Sequence, residues 1–440
     1  MIENRVSIVN SNAMNYDNVD LIDDAVRRAL DSLCIPKGYI KEGMNILIKP
    51  NLVMDKNGLA EEGTDCLYTQ PSVVKPVIDF ILEETNGNVR IVIGDAPMQE
   101  CVFEQIKGYQ ELVDEYKSKG VDVELVDFRE LKSEVKNNVH IATINNKAKG
   151  RVINLGDRSA FYGIVDDQLK KLRVTNYDPT IMTKHHHGEV HEYYISQYVL
   201  DADLIVNMPK PKTHRKAGVT ISLKNFVGAN TRKEFLPHHT LGSVEEGGDE
   251  YLDTNFFHKL RSCLLDKKNK CAFDRKYTLA RIYDSFITIC SALMKFGRNE
   301  YAEGSWYGND TISKTIVDLN NLIVYADKKG EMKDSPQRQL LIVGDMIIAG
   351  EKEGPVYPTA KKVGMIVAGY NPVYFDTVIA RLMGFDVNKI PSIFRSWNSE
   401  GLVTPGICDK DIAVVGDYNI HTLPNLHFVA TSGWKDHIEL

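Results

Sequence analysis

The densest run of chemically capable side chains is NMPKPKTHRKAGVTISLKNFVGANTRKEFLPHH, residues 207–239. It offers Lys210, Lys212, His214, Arg215, Lys216 and Lys224, and it ends on His238 and His239. Lysines act as mobile point charges on phosphate or carboxylate. A histidine near neutrality can move protons. Pro209 and Pro211 fix φ and stiffen the chain where it leaves an apolar run. The expectation is a rigid cationic pocket for a small anionic ligand or a phosphorylated cofactor. His214, Lys224 and Lys212 are its candidate catalytic groups. Lys210, with Lys49 and Asn51 of IKPN and Asn225 of SLKN, is assigned to cofactor binding. The alternatives are a solvated basic loop, a protein that binds a metal or cofactor through the same His and Lys set without catalysis, and a binding or scaffold module.

Carboxylates recur where apolar runs stop. Asp95 closes VRIVIGD, Asp345 closes QLLIVGD, and Glu353 precedes Gly354-Pro355. With His238 and His239 they are the candidate metal ligands, because imidazole and carboxylate suit divalent ions. A divalent metal is the cofactor these residues admit; the cofactor is otherwise left open. Each carboxylate could instead cap a turn, and GDMIIAGEKEGP (344–355) reads as a turn with a preset backbone. Asp310 reads as the N-cap of a helix, and Asp376 as a first-turn carboxylate, with a pocket role open for the latter. A second imidazole cluster, His185, His186, His187 and His191 with Glu189, has no H-E-x-x-H spacing. One or two of them with a distant carboxylate would make a site; the plainer expectation is an exposed polar loop.

Other chemistries lack their signatures. There is no P-loop, no G-x-G-x-x-G after a strand and no G-x-S-x-G elbow. The seven cysteines form no C-x-x-C pair, which argues against a disulfide framework or a cysteine-ligated metal. Lys and Arg number 53 against 60 Asp and Glu, a net charge of -7, so nothing draws the whole chain to nucleic acid. No signal-like start or spanning segment stands out, and a cytoplasmic protein without a membrane partner is expected. A homo-oligomer stays open.

Short β-rich runs must position these groups: 45–51, 89–95, 121–127, 202–210, 339–345, 364–369 and 411–417. Helical patterns lie between many of them, at 19–34, 71–85, 103–119, 311–326 and 374–383. The alternation predicts an α/β fold, a mostly parallel sheet with flanking helices and a helical insertion. Ligands in such sheets bind beyond the carboxyl ends of the strands. The core is expected over 1–228 plus 307–440, as one or two α/β lobes. Residues 229–306, charged and then helical, read as an insertion or lid.

IKPNLV (48–53), TQPSVV (69–74), GDAP (94–97), VNMPKPKTH (206–214), SLKNFVG (222–228), WYGNDTISKTIVDLN (306–320), GDMIIAGEKEGP and NPVYFDTVIARLMGF (371–385) resemble the successive blocks of the DUF362 family. The resemblance implies an α/β fold and no established reaction. Many relatives carry a ferredoxin-like cysteine cluster, and this chain has none. A remoter similarity is to nickel-pincer lactate racemases, in which a His, the cofactor-attaching Lys and a nickel-binding His have spacings like His214, Lys224 and His238 or His239. The chain departs from that pattern at Gln70, where the racemases carry Arg, and at Asp95, where they carry a catalytic His.

Overall fold

The structure is a computed structural model describing residues 4–136, 139–253, 255–294 and 301–440. One ten-stranded sheet organises it. Its strands are β1 (Arg5–Asn10), β2 (Asn45–Pro50), β3 (Arg90–Asp95), β4 (Asp122–Asp127), β5 (Leu204–Met208), β6 (Lys212–His214), β7 (Gly218–Thr220), β8 (Gln339–Glu353), β9 (Tyr357–Gly369) and β10 (Ala413–Gly416). The order is β10-β1-β9-β8-β5-β2-β3-β4, with β6 paired to β8 and β7 paired to β6. The run β8-β5-β2-β3-β4 is parallel throughout. The principal helices are α1 (Val19–Leu33), α2 (Pro71–Glu84), α3 (Tyr109–Ser118), α4 (Ser222–Asn225), α5 (Phe256–Phe273), α6 (Tyr277–Met294), α7 (Thr311–Tyr325) and α8 (Pro372–Met383).

Alternation along the central strands sends side chains into two cores. Ile46, Ile48, Leu204 and Val206 meet α1, α2 and α3 on one face. Leu47, Ile205, Ile342 and Val367 meet α7 and α8 on the other. This is why these runs read as continuously apolar: both sheet faces are covered. Segments from both sides of 229–306 supply strands to this one sheet.

Three features differ from the sequence expectation. Residues 344–353 are not a turn: β8 runs through them, antiparallel to β9, with an irregularity between Met346 and Ile348. The reversal comes only at the cis Gly354-Pro355 bond. Met346 to Ala349 are buried, and burial of that apolar run favours strand over turn. Second, Arg5–Asn10 forms a strand between β9 and β10, so the chain's first and last strands share one edge. Third, His185–His191 is not an exposed loop. His186 and His191 sit opposite each other in a short hairpin, both fully buried.

Candidate functional site

The parallel strands end at a common edge, and the polar residues of the site descend from it. Lys49 at the end of β2 meets Asp95 at the end of β3, Nζ to Oδ1 2.7 Å, with both side chains buried. Asp95 also accepts from the backbone N–H groups of Leu52 and Ala96. A second buried pair, Lys210 with Asp345 at 2.8 Å, lies one strand over. Tyr16 donates to Asp345 at 2.7 Å and accepts from Lys210. Burial lowers both ammonium groups from their ordinary range, and the carboxylates offset this.

Amides tie the pairs together. Asn225 donates to the Lys49 carbonyl and to Asn207, and its Oδ1 accepts from Asn51 at 3.1 Å. Asn51 in turn accepts from Lys212 at 2.6 Å. Lys212 is fully buried beside Lys210 without a carboxylate of its own; burial, then Lys210, brings it down to about 7. Helix α4, which carries Lys224 and Asn225, begins on a buried carboxylate: Asp376 of α8 accepts from Ser222 and Leu223 N–H at 2.8 and 3.1 Å. Asp376 therefore positions the site, from the middle of an apolar helix. Gly228 packs so tightly here that an added Cβ would lie 1.8 Å from Asp95 Oδ1.

Above this floor is a surplus of cations. Lys216 donates to Thr175 at 2.8 Å, and Lys233 to the Ala96 carbonyl at 2.7 Å. Burial brings Lys216 to about 8 and Lys233 to about 7. Lys224 is half-buried, and its ammonium has no hydrogen-bond or ion-pair partner among the described residues. Burial and then Lys216 lower it to about 8. The Arg215 guanidinium is likewise without a partner among the described residues. Both charges depress His214.

The two nearby imidazoles have opposite tautomers. His214 Nδ1 accepts from the N–H groups of Lys216 and Ala217, so its proton is on Nε2. His238 Nδ1 faces the Leu236 carbonyl at 2.7 Å, so it carries the proton and Nε2 keeps a lone pair. Burial, then the lysines around them, holds both well below the usual histidine range. One ring offers a donor and the other an acceptor.

Residues 229–306 help build this wall. Glu303 accepts from Thr175 at 2.7 Å and from Arg261 at 2.5 Å. Against a burial penalty, Lys216 and Arg261 hold it well below the carboxylate range. Asn309 donates to the His238 and Gly304 carbonyls and accepts from Ile312 N–H. Asp249 accepts from Asp310 and Thr311 N–H at the start of α7. Asp310, expected as that cap, makes ion pairs with Lys314 and Arg395 instead.

The structure thus gathers Lys212, His214, Lys224 and His238 in one electrostatically coupled cluster, on a floor of Lys49, Asn51, Lys210 and Asn225. The five expected metal ligands are not gathered. Asp95 and Asp345 are taken by lysines. Glu353 is exposed and accepts from Ser432 N–H at 2.8 Å. Only His238 and His239 adjoin; His239 is buried with Nδ1 unpartnered. Among the described residues no three His, Cys, Asp or Glu side chains form a group able to hold a metal ion. In the second cluster, His185 binds Glu192 at 2.7 Å and His186 Nε2 contacts the Phe235 carbonyl at 3.0 Å. A cleft of about 1380 Å³ opens at the other ends of the strands, bordered by Asp203, Arg338 and Tyr370. Its Arg338 is spent on the carbonyls of Leu200, Ile323 and Ala326, and it contains no unpaired cation cluster, so the carboxyl-end cluster is the better candidate.

The family described as "Domain of unknown function (DUF362)" matches residues 46–157 and 155–381. The chain belongs to the DUF362 family. Every residue of the cluster lies within the matched DUF362 segments. No curated protein and no solved structure matches this DUF362 chain. Neither comparison supports the expected similarity to nickel-pincer racemases, which rests on the spacing of His214, Lys224 and His238 or His239. Among the described residues no helix is long and apolar enough to cross a membrane.

Lys233 and Glu303 escaped the sequence reading of the site. Lys233 lies inside the basic run, a usable signal. Glu303 acts through contacts with Thr175 and Arg261, and no local pattern marks it.

Proposed function

We propose that this DUF362 protein is an enzyme that binds a small anionic molecule, or the phosphate of a cofactor, at the carboxyl ends of β2, β5 and β6. The reading is carried by one observation: Lys224 and Arg215 are cations without partners among the described residues, in a cluster where Lys49 and Lys210 have carboxylates and Lys212, Lys216 and Lys233 have oxygen acceptors. Two half-buried cations crowded by buried lysines repel one another, and an anion bound between them relieves that repulsion. His214 would donate from Nε2 and His238 accept at Nε2, which gives acid–base chemistry a donor and an acceptor at neutral pH.

Calorimetric titration with sulfate, inorganic phosphate and oxalate tests the binding step. Wild type should bind at least one of them, and Lys224→Ala or Arg215→Ala should weaken it by about tenfold or more, each tenfold being about 1.4 kcal/mol. Equal binding by wild type and both variants would remove the reading. Native mass spectrometry of untagged protein should show a small co-purifying anion that Lys224→Ala loses.

A further inference from the structure

Helices α5 and α6 form a hairpin whose second helix is apolar on two sides. Ala280, Ile287, Cys290 and Met294 are buried, and α6 packs along α5. On the other side Leu279, Ile282, Phe286, Ile289 and Leu293 are each between 38% and 56% exposed. Their spacing is three, four, three, four, the heptad seam of helices that pack by knobs into holes.

We propose that this stripe is the interface with a second copy of the same chain, two hairpins meeting as an antiparallel four-helix bundle. Three observations select that occupant. The stripe is nearly symmetric about Phe286, with Leu279 and Leu293 seven residues to either side. A two-fold axis there sets Leu279 against the partner's Leu293 and Phe286 against its own copy, as an isologous contact requires. Second, the positions flanking the seam include Thr278, Ser285 and Ala292, small and uncharged, so backbones can approach closely. They lack the Lys/Arg border typical of a helix lying on a lipid surface: Arg281 is the one cation on α6 and does not flank the seam, and the hairpin's lysines are on α5 and at its tip. Third, the five stripe residues together leave roughly a few hundred Å² of contiguous apolar surface per copy, a patch size that on soluble proteins often marks an interaction site.

Light scattering on the full chain should give the mass of two chains. Phe286→Glu should give one chain, with unchanged helical circular dichroism and unchanged sulfate binding. With Cys34, Cys263, Cys271 and Cys408 replaced by Ser, Phe286→Cys should form a disulfide-linked dimer on oxidation, while Leu279→Cys should not, because only the two-fold position brings like residues within disulfide reach. A single-chain mass for wild type at every concentration would overturn the proposal. So would a single chain that co-sediments with anionic vesicles through the stripe, or self-linking of Leu279→Cys, which would mean parallel helices.

Discussion

Lys49 and Asp95 pair at 2.7 Å across adjacent parallel strands, both side chains closed to water. Removing one partner strands the other charge. Asp95→Asn is therefore expected to cost about 3–5 kcal/mol in urea unfolding. The double variant Lys49→Met with Asp95→Leu should cost less than the two single changes together, because it removes both buried charges. Additive costs would show that the pair does not act as a unit.

Gly228 seals that pair from above. A Cβ there would lie 1.8 Å from Asp95 Oδ1 and 2.8 Å from Lys49 Nζ. Gly228→Ala must push the carboxylate or the 226–229 turn aside. The expected loss is about 1–3 kcal/mol, the usual range for overpacking, together with weaker sulfate binding. A variant with wild-type unfolding midpoint would refute this packing.

Asp376 positions Lys224 without touching it. Its two oxygens accept the first free N–H groups of α4. Asp376→Ala leaves both buried and unpaired, at about 1–3 kcal/mol each. A purely structural role would lower the melting temperature and leave anion affinity alone. The expectation is that affinity also falls in the folded variant, and that Asp376→Asn, which keeps one acceptor, restores part of it.

The strands that build the floor could be read directly, because each is an apolar run ending in the residue that does the pairing: Lys49, Asp95, Asn207. The cation cluster was legible as a run of lysines and histidines after two prolines. What a sequence pattern cannot carry is which of those cations has a partner. Lys210 and Lys224 look alike in sequence, and only tertiary packing gives Asp345 to one and, among the described residues, no partner to the other. The same limit explains Asp345 and Glu353. As strand-end or turn carboxylates they suggested a metal, but β8 continues through both, which leaves one paired with lysine and the other at the surface.

The four lysines predict a pH signature with a definite sign. Lys212 and Lys233 stand at about 7, and Lys216 and Lys224 at about 8, all below 10.5 for a free side chain. Between these values the unfolded chain binds more protons than the folded one, so stability rises with pH. It is lost again as pH falls from 10.5 through 8 and 7. Tyr16 and Tyr109, held well above their ordinary range by burial, act in the opposite sense once pH passes 10. A bound anion favours the charged lysines and so opposes the trend. Sulfate keeps its charge over the whole window. Its stabilisation should be largest near about pH 6, where all four are charged, and fade above about pH 9 as they become neutral. Melting temperatures with and without sulfate, in wild type and Lys224→Ala, measure this. A sulfate effect independent of pH would mean that the anion binds elsewhere.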